Sequence, residues 1–368
     1  MTLAVHRRRR RRLLPAPLSS RPLVSVVIPC FNYADYVLDA AASVLSQPDV
    51  DVEVIIVDDC STDRSVAKVR SLVQRDPRVR LIEHAENRGP VQTFNDGLEL
   101  VTGDHIVRLD ADDLLTPGSL RRSCALLEKV PTAGMVYGHP LHFTDTLPTP
   151  REAARKWTVW DGQDWLYQRC RTGVNVITSP EVVMRRSVVD EVGGQRDLAH
   201  THDMEMWLRI ASVSDVGYIQ GSDQAWHREH DRSLSQSLDP EFGDIRDRLD
   251  AFTVLFDWCD QKRPAIAHLR QVAKRALADE ALRRIVHLYD RGKAGGELEQ
   301  DLWRFFEELD SDVTLRSPRG QRAERLRRLG ADRRPSMTQF ARAASTRIRN
   351  EAEYARWHRT GVFQRDRR

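Results

Sequence analysis

The feature that most constrains this fold is a regular alternation of short apolar runs and helical spacing between residues 23 and 130. The first run, Leu23–Ile28, is nearly continuous in β-branched residues, which is typical of a strand buried on both faces. Three similar runs follow, each separated from the next by a segment with helical periodicity: Val52–Val57, Val79–Ile82 and His105–Leu109. Strands that alternate with helices require a parallel sheet with right-handed crossovers. We therefore predict an α/β domain on a mostly parallel sheet.

The pattern is less regular beyond residue 130. It predicts strands at Gly134–Tyr137, at Ile177–Met184 and near Tyr218, and a helix from about His202 to Ala211. From Asp239 onward the spacing of apolar residues is wholly helical. The chain is thus divided into a disordered Arg-rich leader, an α/β domain, a helical region and a basic, partly helical tail. We assign these parts to residues 1–21, 22–238, 239–315 and 316–368.

The net charge of +3 conceals an acidic body between two basic ends. Residues 1–21 contain seven Arg and no acid, and residues 316–368 contain sixteen Arg and five acids, which leaves −15 for residues 22–315. Basic ends can attract an anionic lipid surface or nucleic acid, and they can equally be solvated segments without a partner. Of the two partners, we favour a peripheral contact with an anionic membrane over nucleic acid.

The cysteines and the absence of long apolar runs bear on the compartment. Five cysteines are scattered along the chain without a CxxC pair, which argues against a disulfide framework or a zinc site. No run reaches the roughly 18 apolar residues that span a membrane, and the first residues lack the apolar core of a signal peptide. We expect a cytoplasmic protein, with peripheral attachment at the inner membrane face left open. The oligomeric state is not indicated.

Polar clusters follow three of the predicted parallel strands: Pro29–Asn32, Asp58–Asp59 and Asp110–Asp113. In open parallel sheets, ligands bind beyond the carboxyl ends of the strands. Three carboxylates within four residues would repel one another unless a cation were present. Mg²⁺ and Mn²⁺ prefer such oxygen ligands and bridge to substrate phosphates. We therefore predict a divalent-metal site formed by Asp110, Asp112 and Asp113. No P-loop and no dinucleotide-binding glycine motif is present, so a metal and side chains must hold any nucleotide.

Together these motifs resemble family 2 glycosyltransferases, which have the GT-A fold and are inverting. The similar segments occur in the same order, over roughly residues 22–238: Ser25–Asn32, Ile55–Asp63, Asn87–Gly89, Asp110–Asp113, Gly193–Gly194, His202–Asp203, Trp207–Arg209, Arg228, His230, Ser233 and Ser235. The resemblance implies a Rossmann-like, mostly parallel sheet flanked by helices. The C-terminal helical extension lies outside it. His202 departs from the family, in which an acidic residue often occupies that position.

The resemblance also implies roles for individual residues. Asp59 matches the carboxylate that hydrogen-bonds the nucleobase, and Asp203 matches the general base. Asp110 and Asp112 resemble the DxD pair that contacts ribose and metal, with Asp113 sharing the metal. Arg228 and His230 match the segment that closes over the diphosphate. We expect nucleotide contacts from Pro29, Phe31, Asn32, Asp59, Arg88 and Asp110.

The implied reaction is transfer of a sugar, of the hexosyltransferase type, from a nucleotide-diphosphate donor to an acceptor hydroxyl. UDP is the nucleotide that the family favours, and the acceptor can be a glycan, a lipid-linked molecule or a small molecule in polysaccharide or glycoconjugate biosynthesis. The mechanism is a metal-assisted single displacement with inversion. One alternative is a nucleotidyltransferase that makes nucleotide sugars, although these normally carry a Gly-rich signature after the first strand. Another is a non-catalytic membrane- or nucleic-acid-binding protein, which would not need the acidic clusters.

Each candidate residue also has a purely structural interpretation. Asp58 and Asp59 could cap a helix, and the acids from residue 110 to 113 could form a solvated loop. Asp203 could simply favour the positive end of a helix dipole. The remaining candidates could be surface or turn residues: Asn32, Arg88, Arg228 and His230.

Overall fold

The structure, a computed structural model, describes residues 10–230, 242–309, 312–331 and 335–360. These residues form two compact units, apart from short pieces at the carboxyl terminus. Unit one lies within Met1–Leu166 and Val176–Ser233, and unit two lies within Tyr167–Asn175 and Leu234–Arg359. The helices of the predicted tail thus group with those of the predicted helical region, whereas the sequence analysis divided them at residue 316.

Unit one is built on one sheet of ten strands, in the order β1-β8-β10-β7-β9-β5-β2-β3-β4, with β6 paired to β10. The strands are β1 Arg10–Leu13, β2 Leu23–Cys30, β3 Asp51–Asp58, β4 Val79–Glu83, β5 His105–Arg108, β6 Leu114–Leu115, β7 Ala133–Phe143, β8 Lys156–Trp160, β9 Val183–Arg185 and β10 Asp215–Arg228. The helices up to residue 213 are α1 Val37–Leu45, α2 Ser65–Val73, α3 Gly89–Leu98, α4 Ser119–Lys129, α5 Gly162–Thr172, α6 Arg186–Val192 and α7 His202–Val213.

The predicted alternation between residues 23 and 130 is confirmed. Strands β2, β3, β4 and β5 are mutually parallel, and a helix follows β2, β3 and β4 in turn. Val24, Val26 and Ile28 of β2 are fully buried, as are Val54 and Ile56 of β3. Because parallel strands end at the same edge, the loops that follow them lie side by side.

The second half of the sheet differs from its prediction. Strands β7 and β10 are longer than the periodicity indicated, and they pair with each other in parallel. The predicted strand Ile177–Met184 is wrong over most of its length, since only Val183–Arg185 forms a strand, antiparallel to β5 and β7. The reason is local. Ser179 has a φ of 145°, and the Glu181 carboxylate accepts hydrogen bonds from the N–H groups of Thr178 and Ser179, which folds the backbone into a turn.

The Arg-rich leader also differs from its prediction. Residues 1–9 lie outside the described part, but Arg10–Leu13 forms β1 and pairs antiparallel with β8. Arg11 lies 2.9 Å from Asp215, and the side chain of Ser20 donates to Glu128. Partly buried apolar residues of the leader contact the main core, namely Leu13, Ala16 and Leu18. Strand pairing and this apolar contact order a segment whose composition alone indicated disorder.

Unit two is helical, as predicted from residue 239 onward. Its helices are α8 Gly243–Lys262, α9 Leu269–Asp290, α10 Glu297–Glu308, α11 Asp312–Leu315, α12 Pro318–Leu329 and α13 Met337–Thr360. The predicted apolar face of α8 is buried: Leu249, Phe252, Leu255 and Phe256 are at most 6% exposed. Buried Arg248 is held by carboxylates of Asp244 and Glu280, so its charge is paired. No helix among the described residues is both long enough and apolar enough to cross a membrane.

Candidate active site

Three of the predicted clusters lie at the carboxyl edge of the sheet. Cys30 at the end of β2 is in register with Asp58 at the end of β3, and Val27 is in register with Arg108 at the end of β5. The Asp59 N–H donates to the Cys30 carbonyl at 2.8 Å, which joins the first two loops. The residues after the strands are therefore neighbours, and they form two groups of contacts, one around Asp59 and one around Asp112.

The β2 loop combines a fixed turn with an exposed aromatic ring. Asn32 has a φ of 60°, and its amide oxygen accepts from the Thr62 N–H at 2.8 Å. Its own N–H donates to Ser61 Oγ at 2.9 Å, so Asn32 joins the β2 and β3 loops as a turn residue. Pro29 lies within β2 and is half-buried. Phe31 is 44% exposed, which leaves its ring available to a ligand.

Asp59 is the centre of the first group. It is 3% exposed, and Oδ1 accepts from the Arg88 N–H at 2.8 Å while Oδ2 accepts from the Gly89 N–H at 2.9 Å. Gly89 has a φ of +80°, a conformation that favours glycine. The predicted nucleobase ligand thus holds the loop that contains Arg88. The Arg88 guanidinium lies 2.5 Å from Asp96.

His84 belongs to the same group and was missed by the sequence analysis. Its imidazole is 6% exposed, with Nδ1 2.8 Å from Asp59 and Nε2 3.0 Å from Asp96. Asp96 also contacts the Arg88 guanidinium, and Asp59 accepts from the Arg88 backbone N–H, so His84, Asp59, Asp96 and Arg88 are joined in one group. The signal was available, because His84 directly follows β4 and precedes the loop in which Arg88 was predicted to contact the nucleotide.

The aspartates after β5 point to different partners. Asp110 lies 3.0 Å from Arg108 and its side chain is 36% exposed, whereas Asp112 Oδ2 lies 2.8 Å from His230 Nε2 and its side chain is 9% exposed. Burial, followed by the charges of Asp113 and Asp110, raises the pKa of Asp112 to about 6. This carboxylate is therefore destabilised in its charged form, and a bound cation would relieve it.

Asp113 has a different position from the other two. Its side chain is 1% exposed, Oδ1 accepts from the Arg228 N–H at 2.9 Å, and Oδ2 lies 3.1 Å from His227 Nδ1. Burial lowers the pKa of His227, but the adjoining Asp113 charge outweighs it and raises that pKa to about 9. Asp113 thus fastens the end of β10 to the β5 loop. Both of its oxygens thus have a partner on β10.

The end of β10 brings the predicted diphosphate residues to the β5 loop. Arg228 Nε donates to the Asp112 carbonyl at 3.0 Å, and its guanidinium lies 4.6 Å from the ring centre of Tyr36 and 4.5 Å from that of Phe143. The His230 ring stacks on Tyr36 at 5.5 Å. Aromatic faces therefore hold two cationic or titratable groups beside Asp112. Ser233 and Ser235 lie outside the described residues.

Asp203 is the second residue of α7 and is half-buried. Its carboxylate accepts from the Met204 N–H at 2.5 Å. Burial raises the pKa of Asp203 to about 7, although the nearby Arg108 charge acts in the opposite direction. Burial also lowers the pKa of His202 to about 3, so that imidazole is neutral. A carboxyl group with a pKa near 7 suits a general base at neutral pH.

Arg108 and Glu181 are two further residues that the sequence analysis missed. Arg108, 8% exposed, pairs with Asp110 and donates to the Gln195 side chain at 3.2 Å while its charge acts on Asp203. A lone Arg in an apolar strand was the available signal. Glu181 is 2% exposed, and burial raises its pKa to about 7. Its charge acts on both His227 and Asp203, which places a further buried acid beside the site.

Whether a divalent metal ion can bind at the β5 loop depends on the oxygen atoms that its aspartates offer. Over residues 10–230, 242–309, 312–331 and 335–360, no group of three or more His, Cys, Asp or Glu side chains is arranged so that it could hold a metal ion. The reason is that the three aspartates face Arg108, His230 and His227 respectively. Asp110 and Asp112 nevertheless supply hard oxygen atoms at a carboxyl edge where like charges crowd, so these two residues fit Mg²⁺ or Mn²⁺.

Comparison with known sequences agrees with this geometry. Residues 25–193 match the profile of glycosyl transferase family 2. The succinoglycan biosynthesis protein ExoO of Rhizobium meliloti is 41% identical over 120 residues, which are 33% of this chain and 33% of that protein. The putative teichuronic acid biosynthesis glycosyltransferase TuaG of Bacillus subtilis is 34% identical over 128 residues, 35% of this chain and 51% of TuaG. These matches therefore span a third to a half of the relatives' length.

Comparison with solved structures gives the fold. A crystal structure of S. aureus TarS 1–349 matches with a TM-score of 0.56 and 15% identity, over 82% of this chain and 83% of that one. The protein is thus an α/β protein of the GT-A fold with its polar clusters at the carboxyl edge of the sheet. Residues 25–193, just under half of the chain, are similar to glycosyl transferase family 2.

Proposed function

We propose that this protein transfers a sugar from a UDP-sugar to an acceptor hydroxyl with inversion, assisted by Mg²⁺ or Mn²⁺. The observation that carries the proposal is that Asp112, on which the Asp110 charge also acts, contacts both Arg228 and His230 at the end of β5. Acids beside an arginine and a histidine suit a metal-bound diphosphate, since the metal binds the acids and the N–H groups of the two other side chains face the phosphate oxygens. The choice of UDP is supported by TarS, which was crystallised with UDP-GlcNAc and with UDP.

In this proposal the nucleotide lies along the β2, β3 and β5 loops. The exposed Phe31 ring offers a face to the base or ribose, and the loop held by Asp59 contributes Arg88. Asp110 and Asp112 would hold the metal, which when bound neutralises charge on the departing diphosphate. Arg228 and His230, fixed by Tyr36, stabilise the same leaving group.

Asp203 is the proposed general base. It removes the proton of the acceptor hydroxyl as that oxygen attacks the anomeric carbon from the side opposite the diphosphate. Burial raises the pKa of Asp203 to about 7, so the group accepts a proton readily near neutral pH. The acceptor remains a class, namely a glycan, a lipid-linked molecule or a small molecule with a free hydroxyl.

The direct test compares the purified full chain with its Asp203→Asn variant. The full chain with Mn²⁺ and UDP-sugars should release UDP, and the variant should lose about 10²–10⁴-fold in that rate while it binds UDP equally well. Asp190→Asn is the matched control, because Asp190 is an exposed acid on α6 whose side chain is 63% accessible. Release of pyrophosphate from UTP and a sugar phosphate would instead identify a nucleotidyltransferase. A near-normal rate in Asp203→Asn would remove that residue from the mechanism.

A further inference from the structure

Helix α13 presents apolar side chains on its uncovered side. Met337 is 83% exposed and Ile348 is 66% exposed, and Ala344 and Ala355 are exposed as well. At about 100° of rotation per residue, these four positions fall within about 40° of one line along the helix. Phe340, 48% exposed, lies beside that line. We call these five residues the apolar stripe.

The opposite side of α13 is covered, although it is the more polar one. Ala343 is 7% exposed, and Gln339, Thr346 and Glu353 are half-buried. These positions follow one another at helical spacing, on the side of the helix opposite the apolar stripe. A helix that contributed only to its own unit would bury its apolar side and expose its polar side. The reversed arrangement indicates that the apolar stripe meets something other than water.

Arginines lie on both flanks of the apolar stripe. Arg356, Arg349 and Arg342 recur every seven residues, at about 100° to 140° from the line of the stripe. Arg347 lies about 80° from that line on the other side and is 2.7 Å from Glu351, an exposed acid about 40° from the line; all four arginines are exposed. The sequence from residue 316 to 368 contains sixteen Arg against five acids, so the surroundings of the stripe are strongly basic. Apolar side chains bordered by arginines are the pattern of helices that lie in the plane of a membrane interface.

We propose that α13 docks on an anionic lipid surface, with the apolar stripe in the acyl boundary and the flanking arginines on the headgroup phosphates. Charge complementarity favours this partner, since the basic flanks need anionic groups at a plane parallel to the helix. Nucleic acid would use the arginines alone and leave the apolar stripe in water. A second copy of the chain would bring the same basic flanks against each other. The proposal does not depend on glycosyl transfer.

The test is co-sedimentation of the full chain with vesicles of phosphatidylcholine, alone or mixed with phosphatidylglycerol. The chain should sediment with the mixed vesicles and not with the neutral ones. Ile348→Glu should weaken binding by roughly tenfold or more, because it places a charge in the acyl boundary. Arg342→Gln and Arg349→Gln should each weaken it about fivefold. Circular dichroism checks that helix content is retained in each variant.

The matched control is Leu329→Glu, which adds the same charge at another exposed apolar residue, 46% accessible at the end of α12. It should bind vesicles as the unchanged chain does. Equal loss in Leu329→Glu and Ile348→Glu, or unchanged binding in Ile348→Glu, would overturn the proposal. Two other results would also overturn it: an oligonucleotide that displaces the chain from vesicles and binds Ile348→Glu equally well, or a dimer mass that Ile348→Glu alone converts to monomer.

Discussion

The two acidic strand ends of the sheet look alike in sequence and differ in structure. At the end of β3, Asp59 accepts hydrogen bonds from the N–H groups of Arg88 and Gly89 and contacts His84. At the end of β5, Asp112 contacts His230 but also faces two further carboxylates, and its pKa rises to about 6. The first acid is satisfied by the protein, and the second is left with an excess of negative charge.

This difference separates a positioning role from a ligand-binding role. A carboxylate held by backbone N–H groups stabilises its loop without a ligand, and Asp59 holds the loop of Arg88 and Gly89 in this way. Crowded carboxylates cost stability that is recovered when a cation binds, so the β5 loop is the better candidate for the metal. Acidic residues at a strand end therefore do not identify a ligand site until their partners are known.

The largest expected contrast is in stability. Asp59→Asn should lower the free energy of unfolding by about 1–3 kcal/mol, because backbone N–H groups lose a charged acceptor. Asp112→Asn should raise it by roughly 1 kcal/mol at pH 8 in a chelator, because the folded state no longer holds a destabilised charge. Urea titration with a chelator present measures both. A larger loss in Asp112→Asn than in Asp59→Asn would contradict the comparison.

The effect of Asp112→Asn on the free energy of unfolding should increase with pH. Since the pKa of Asp112 is raised from its ordinary value to about 6, the folded state binds more protons than the unfolded state between these values. The gain in the free energy of unfolding from Asp112→Asn should therefore be largest above pH 6, and it should become smaller as the pH falls toward about 4.

The pH profile of the reaction is expected to show the next largest effect. Burial raises the pKa of Asp203 to about 7, and the base acts only when ionised. With saturating Mn²⁺, kcat/KM should rise with pH through about 7, and at pH 6 it should be about a tenth of its plateau. Steady-state kinetics across buffers measures this. A profile that is flat between pH 5 and 8 would exclude Asp203 at this pKa.

The smallest effect concerns His84 and the loop that Asp59 holds. His84→Gln keeps one polar contact but cannot reach Asp59 and Asp96 together, so the loop with Arg88 should become less well ordered. We expect the donor KM to rise about three- to tenfold with little change in kcat, since a typical hydrogen bond contributes about 1 kcal/mol. The control is His105→Gln, a buried histidine at the amino end of β5. Equal effects of the two variants would leave His84 with a merely structural role.

The sequence predicted those features of the fold that depend on residues close together in the chain, and it failed where a distant segment determines the structure. The alternation of strands and helices from β2 to β5 was predicted because the spacing of apolar residues within each segment indicates its structure. The positions of the strand ends were then predicted from the same spacing. Strand β1 was missed because an Arg run gives no strand signal and its partner β8 lies far along the chain. The partners of Asp113 were missed for the same reason, since Arg228 and His227 lie on β10, far along the chain.

The most direct test of the metal-site proposal is calorimetric titration of the full chain with UDP, in Mn²⁺ and in a chelator. We predict that UDP binding requires Mn²⁺, and that Asp112→Asn loses this requirement together with most of the affinity, while Asp190→Asn behaves as the unchanged chain. Equal UDP affinity with and without Mn²⁺, or an Asp112→Asn variant with unaltered metal dependence, would contradict it.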